Sequence, residues 1–281
     1  MARPVVPPLP WRVWLSGASS GLGAALAKEL AVRGCSIALF ARREEALRAL
    51  RERIVATWPG AGVIVQAGDV RDRAQVRAAV HEAESRFGAL DVLILNAGTG
   101  DSLFPESFDA GLVREILEVN FLGAVHGIEA ALPGMLARRS GAIVGVSSIG
   151  AVRGFPTAAP YCASKAALTS FLESLRIDLW DSGVKVITVS PGFISTPLTE
   201  RNRFPMPFLQ SAPAAARRIV DGIVRGKREI HFPRRLTIPL KILRCFPGFL
   251  YDGVVRRLVR GKGYRKESED KTGRDTRSPR G

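Results

Sequence analysis

The chain has 281 residues, 46% of them hydrophobic, which supports one large α/β core or at most two small domains and argues against wholesale disorder. Cys35, Cys162 and Cys245 match no metal spacing and leave an odd number for disulfides, so a reducing cytoplasm is the simpler setting. The formal charge of +15 is uneven: residues 225–281 hold 17 Lys/Arg against 6 Asp/Glu, net +11, and the first 224 residues carry only +4. Residues 1–10 read as a Pro-rich arm without the continuous apolar stretch of a signal peptide, and no run of 18 apolar residues predicts a membrane-spanning helix.

In chain order, an apolar run at Val13–Gly17 leads through glycines into an amphipathic helix ending at Gly34. Ser36–Phe40 reads as a buried strand, Arg43–Trp58 as a helix halted by Pro59-Gly60, Gly62–Ala67 as a third strand and Ala74–Phe87 as a third helix. A fourth strand ends near Asn96, and a long helical region from about Phe108 to Arg139 carries a predicted break near Phe121–Gly123. Then come a strand at Gly141–Ser148, a helix at Tyr161–Asp181, a strand at Val184–Ser190, a helix at Ala212–Arg225 and a short strand at Glu229–Phe232. Apolar strands alternating with helices of this length predict a doubly wound parallel sheet, Rossmann-like, in one domain over residues 11–235.

The first strand–helix turn is "SGASSGLG", Ser16–Gly23, with glycines at 17, 21 and 23. Glycine lets a backbone turn tightly and approach a pyrophosphate, which is favoured at a helix N-terminus by free N–H groups and the helix dipole. The second strand then discriminates between dinucleotides. An NAD site would place an acidic residue near its end for the ribose 2′-hydroxyl. Here Phe40 and Ala41 stand there, followed by Arg42 and Arg43. A guanidinium suits a 2′-phosphate, so the sequence predicts NADP(H), with Arg42 the preferred contact. The alternative is a pair of solvated arginines opening a helix, although cations there oppose its dipole.

Tyr161 and Lys165 lie one helical turn apart. A free phenol has a pKa of about 10 and is a poor base near neutrality. A nearby ammonium would favour the phenolate, and the positive ring of an oxidised nicotinamide would add to this. Taken alone, the pair could equally be surface decoration. Cys162 should face elsewhere, because a helix turns about 100° per residue. His81, His126 and His231 read as isolated solvated or packed residues, and no metal-ligand cluster is visible.

With the glycine turn, "GDV" at Asp69, "LNAG" at Leu95–Gly98, "EVNFLG" around Asn120, "IVGVSS" ending at Ser147–Ser148, "YCASK" at Tyr161–Lys165 and "SPGFISTP" at Ser190–Pro197, the chain resembles the short-chain dehydrogenase/reductase family over about residues 10–235. Ser16 stands where the family usually has Thr, and Leu95 where it has Asn. The resemblance implies a catalytic set of Asn120, Ser148, Tyr161 and Lys165, with Ser148 rather than Ser147 because of its spacing from the tyrosine. Tyr161 would exchange a proton with the substrate oxygen, Ser148 would hydrogen-bond that oxygen, Lys165 would hold the nicotinamide ribose, and Asn120 would position a water relaying protons to Lys165. The cofactor would be held by Ser16, Gly17, Ser19, Ser20, Gly21, Leu22 and Gly23 of the first turn and by Arg42 and Arg43. Asp69 and Val70 would hold the adenine, Asn96, Ala97 and Gly98 would line the channel, and Pro191, Gly192 and Thr196 would border the nicotinamide. Homo-oligomers are common in the family.

Phe193, Phe204, Met206 and Phe208 lie in a proline-rich stretch placed to cover the strand ends. They predict an apolar pocket for a hydrophobic ketone or secondary alcohol, lipid-like in character, or else they simply pack the cover onto the domain. Residues 236–263 mix apolar and basic side chains and are too interrupted by charge and proline to span a bilayer. Peripheral contact with an anionic membrane is the expectation, against a helix packed on the enzyme itself or on a partner copy. Residues 264–281 read as a disordered tail. Nucleic acid is the weaker partner, because no aromatic-interleaved basic groove accompanies the charge. A non-catalytic nucleotide-binding scaffold is the rival function; the complete Asn/Ser/Tyr/Lys set argues for the enzyme.

Overall fold

The computed structural model describes residues 6–200, 206–244 and 246–260. Expectations for Phe204, for Cys245 and for the tail 264–281 lie outside the described residues. Strands β1 (Arg12–Ser16), β2 (Ser36–Ala41), β3 (Val63–Ala67), β4 (Val92–Leu95), β5 (Gly141–Val146) and β6 (Val184–Pro191) alternate with helices α1 (Gly21–Val32), α2 (Glu44–Thr57), α3 (Arg73–Phe87), α4 (Ala110–Leu117), α5 (Gly123–Ala137) and α6 (Ala159–Asp178). Two-residue strands β7 (Ile194–Ser195) and β8 (Gln210–Ser211) bracket the stretch after β6, and α7 (Ala212–Val224), β9 (Glu229–Phe232), α8 (Arg234–Arg244) and α9 (Gly248–Arg260) follow.

The main sheet has the order β3-β2-β1-β4-β5-β6-β9, and all its pairs are parallel. The direction of winding reverses between β1 and β4, which opens a crevice at their carboxyl ends. Continuous apolar strands arise because both sheet faces are covered. Val13 and Leu15 of β1 pack with α1, α2 and α7 residues such as Leu26, Leu50 and Ile219, whereas Trp14 points to the other face with Val80, Met135 and Leu172.

The helical region after β4 departs from expectation. It does not break near Phe121–Gly123; Glu118–Leu122 forms a π-helical turn between α4 and α5. Widening the helix there shifts its register and turns Asn120 inward, where it is 1% exposed. Helix α6 begins two residues earlier than Tyr161 and ends at Asp178. It lies close over β5: a Cβ at Gly145 would stand 2.3 Å from Leu172 Cδ1. That approach sets the N-terminal turns of α6 beside the end of β5, where Ser148 lies.

Candidate active site

The glycine turn is stitched to β4 by polar contacts. Ser16 Oγ accepts from the backbone N–H groups of Asn96 and Ala97, both at 3.1 Å. Asn96 Nδ2 donates to the carbonyls of Ser16 and Gly17 at 3.1 and 3.2 Å. Ser16 and Asn96 thus hold the crevice walls together and act on any ligand through shape. Gly17 has φ +67°, and a Cβ there would stand 2.7 Å from Ala97 Cα. Helix α1 starts at Gly21 with no side-chain cap from Ser20, while Leu22 is buried in the core. A glycine cradle facing uncapped N–H groups fits the pyrophosphate of a dinucleotide.

Arg43 Nη2 donates to Ser19 Oγ at 3.0 Å and Ser20 Oγ at 2.7 Å, which brings a guanidinium over the glycine turn. Arg42 is exposed beside it. The sequence preference for Arg42 over Arg43 therefore needs widening: Arg43 is the one touching the turn. Burial would raise the Asp69 carboxyl, but hydrogen bonds from Arg71, aided by the charges of Arg71 and Arg42, hold it below its usual value. The Asp69 carboxylate is engaged by Arg71 at 2.9 and 2.6 Å. Val70 is buried, and His126 Nδ1 donates to its carbonyl at 2.9 Å, so His126 is a packed residue as expected.

Asn120 Oδ1 accepts from Thr99 N at 2.7 Å, and Nδ2 donates to Thr99 O and Ser164 Oγ, both at 2.9 Å. Ser164 went unnoticed in the sequence; its position one residue before Lys165 on α6 was the available signal. Lys165 is 4% exposed, and its Nζ donates to Val146 O at 2.9 Å. The ammonium stands 6.0 Å from the centre of the Tyr161 ring. A Cβ at Gly98 would come within 3.3 Å of Lys165 Nζ and 3.5 Å of Asn120 Oδ1, so the segment after β4 runs directly past both.

Ser148 Oγ accepts from Gly150 N at 3.0 Å, and Ser148 and the Tyr161 ring flank Gly150, 3.5 and 3.2 Å from where a Cβ on it would sit. Ser147 instead donates to Lys165 O and pairs with Thr169 Oγ1, which ties β5 to α6 and leaves Ser148 as the hydroxyl at the phenol. One expectation needs correction. Tyr161 is not lowered in the chain by itself: burial raises its pKa above the ordinary value, and the Ser148 hydrogen bond only partly opposes this. The neighbouring ammonium is too far away to reverse the desolvation.

Burial moves Lys165 the other way, down to about 8. The folded value lies below the unfolded one, so the folded protein is disfavoured while both states are charged, and stability is regained as pH rises from about 8 towards 10.5. A shift of this size corresponds to about 3 kcal/mol. Lys165→Met is therefore expected to raise the thermal unfolding midpoint at pH 7 and to raise it much less at pH 10, read by calorimetry at both values. An equal gain at the two pH values would refute a buried charge as the cause.

Pro191 ends β6, and Gly192 N donates to Phe232 O at 2.7 Å. Thr196 packs against the glycine turn, its Cβ and Cγ2 lying 3.1 Å from where a Cβ on Gly21 would sit. The apolar pocket is only partly assembled. Phe193 and Met206 are half-buried, but Phe208 is 51% exposed at φ +59°. A cleft of about 270 Å³ touches Ser148, and it runs between α6, β9 and α8 past polar groups including Thr188, Ser190, His231 and Lys241. Neither Tyr161 nor Lys165 lines it, so it lies behind Ser148 rather than over those two side chains. His231 is not isolated: it bonds Glu229 at 2.5 Å, and Lys241 reaches both. Burial opposes ionisation of Glu229, but the hydrogen bonds and charges of His231 and Lys241 hold its carboxyl down at about 2.

A glycine turn at the crevice of a doubly wound sheet lies beside a serine, a tyrosine and a lysine. The short chain dehydrogenase family model matches residues 12–205, and the chain belongs to that family. It is 40% identical over 246 residues to an uncharacterized oxidoreductase of Myxococcus xanthus, covering 87% of this chain and 96% of that one. It is 32% identical over 288 residues to an 11-beta-hydroxysteroid dehydrogenase of Pinus massoniana, covering 95% and 79%. A short chain dehydrogenase/reductase from Burkholderia phymatum, solved in complex with NAD, superposes with a TM-score of 0.75 at 26% identity, covering 82% of this chain and 91% of that one. The chain is thus an oxidoreductase of a family that acts on alcohol and ketone groups. No group of metal-ligating side chains occurs among the described residues, and no described helix is long and apolar enough to cross a membrane.

Proposed function

We propose that the protein interconverts a hydrophobic ketone and its secondary alcohol with NADP(H), using Tyr161 as the general acid/base. The observation that supports this best is the gathering of Ser148, Tyr161 and Lys165 at the crevice mouth: a Cβ on Gly150 would stand 3.2 Å from the Tyr161 ring and 3.5 Å from Ser148 Oγ, and Lys165 Nζ lies 6.0 Å from the ring centre. The bound nicotinamide would supply or accept the hydride. Ser148 and Tyr161 would direct two hydroxyl groups at one substrate oxygen and fix its orientation. The raised phenol keeps its proton at neutral pH, which suits donation to a nascent alkoxide. Lys165 would hold the ribose, and in the reverse direction its charge would favour the phenolate only together with that of an oxidised nicotinamide. Asn120, already bound to Thr99 and Ser164, would keep the channel wall in place beside Lys165.

NADP(H) is favoured over NAD(H) by the two cations at the end of β2 and by the apolar, buried Phe40 and Ala41 where an acidic residue would serve NAD. Arg42→Ala and Arg43→Ala are each expected to weaken NADPH binding about tenfold to a hundredfold, the size of one charge-assisted hydrogen bond, with NADH binding nearly unchanged. Titration of nicotinamide fluorescence reads both. Equal losses for the two nucleotides would reject the 2′-phosphate assignment. The name of the Pinus massoniana relative suggests steroid-sized ketones as the first substrates to screen.

A further inference from the structure

Helices α8 and α9 carry a surface that the reaction does not use. On α8, Arg234, Arg235, Ile238, Lys241 and Ile242 are exposed, while Thr237 is buried. At about 100° per residue these five fall on one face, with the two isoleucines in the middle and cations at both margins. Lys241 is shared with Glu229, so Arg234 and Arg235 are the stronger outward charges. Phe246, Phe249 and Leu250 continue the exposure at 45%, 74% and 44%. Large apolar side chains exposed singly are ordinary on a protein surface, but a run of them bordered by cations is not. It is the pattern of a helix lying in a bilayer interface, with apolar groups among the acyl chains and basic ones at the headgroups. The strong positive charge of the chain from residue 225 onward selects an anionic surface. A nucleic acid duplex would reward the cations but leave the isoleucines and phenylalanines in water.

We propose that α8 and the first turn of α9 seat the protein on an anionic lipid surface, and that this seat is built onto the rim of the active site. The connection runs through the segment that follows Ser148. Arg153 Nη2 donates to the carbonyls of Arg244 and Phe246 at 2.9 and 2.6 Å, where α8 ends. The same guanidinium lies 4.9 Å from the centre of the Tyr251 ring, and Tyr251 donates its hydroxyl proton to Gly154 O. Gly150, in that segment, packs against Tyr161: a Cβ there would stand 3.2 Å from Tyr161 Cε1. Residues at the crevice mouth and residues at the proposed seat are therefore neighbours on one clamped loop. If the chain also reduces hydrophobic ketones, as proposed above, a substrate dissolved in the bilayer would lie beside the rim.

The test is vesicle flotation of the full chain on phosphatidylcholine with and without phosphatidylserine, followed across a salt series. Binding is expected to be about tenfold or more tighter with phosphatidylserine and to weaken as salt rises. The double variants Ile242→Ser/Phe249→Ser and Arg234→Glu/Arg235→Glu should each lose about tenfold in vesicle affinity. Nicotinamide fluorescence titration, which involves no lipid, should be unchanged in both and serves as the check on folding. Failure of the full chain to float would overturn the proposal. So would floating of both variants at full strength, which would assign binding to the terminal residues. Tighter binding to a DNA duplex than to vesicles, or a change of mass in light scattering showing that a second copy covers this face, would overturn it as well.

Discussion

Tyr161→Phe is expected to lower kcat by about a thousandfold, within the range that a positioned acid/base contributes, while nicotinamide cofactor affinity stays within about twofold. The substitution removes one oxygen and leaves the ring that packs beside Gly150 and Gly100. Ser148 keeps its bond from Gly150 N, so the remaining hydroxyl stays placed. Stability should change little, because the ring contacts with Gly150 and Gly100 are kept. A thousandfold is about 4 kcal/mol of barrier. The phenol's raised pKa adds a directional expectation. Ketone reduction, which needs the protonated form, should hold up across neutral pH, whereas alcohol oxidation, which needs the phenolate, should climb towards alkaline pH. Steady-state rates in both directions over a pH series, with cofactor affinity measured separately, decide the matter. A variant that keeps more than a tenth of wild-type kcat would remove Tyr161 from the reaction.

The fold was readable because its strands are buried on both faces. Runs such as Ile37–Phe40 and Val92–Leu95 are apolar at every position, and helices of suitable length separate the strands, so few alternatives to a parallel sheet survive. Several motifs fall just after strand ends, as at Ser16–Gly23, Asp69, Leu95–Gly98 and Ser147–Ser148, whereas Asn120 and Tyr161–Lys165 lie on helical segments. The sequence could not carry the environment. Tyr161 and Lys165 one turn apart suggested mutual stabilisation of charge, but whether two such groups help or hinder ionisation depends on burial, which three-dimensional packing decides. On sequence alone Arg42 is preferred to Arg43; only the bend between β2 and α2 turns Arg43 onto Ser19 and Ser20. The break expected near Phe121–Gly123 overlaps the π-helical turn Glu118–Leu122, and a slipped register and an interrupted helix leave the same trace in a sequence. The clamp from Arg153 to α8 joins residues about ninety apart and has no local signal at all.

Gly23→Ala should do the opposite of Tyr161→Phe and remove cofactor binding while leaving the acid/base groups intact. A Cβ at this position would lie 2.1 Å from Gly17 O and 2.7 Å from Asn96 Nδ2. The first is backbone and cannot swing away. The second belongs to the amide that bonds the Ser16 and Gly17 carbonyls, so moving it opens the stitch between β1 and β4. Either response displaces the N–H groups at the start of α1, which the cradle needs to face a pyrophosphate. Overpacking of this kind costs about 1–3 kcal/mol, which for a domain of this size corresponds to an unfolding midpoint lowered by about 5 °C. Cofactor affinity should fall about a hundredfold or more, because loss of aim by several donors compounds the loss of stability. Gly60→Ala is the matched control: a Cβ there meets nothing within 4 Å, so binding and midpoint should match wild type. Fluorescence titration and thermal unfolding on the same samples separate the two effects. A Gly23→Ala protein that binds either nicotinamide nucleotide at wild-type strength would show that the pyrophosphate sits elsewhere, and the assignment of the first turn would have to be withdrawn even if Tyr161 proved essential.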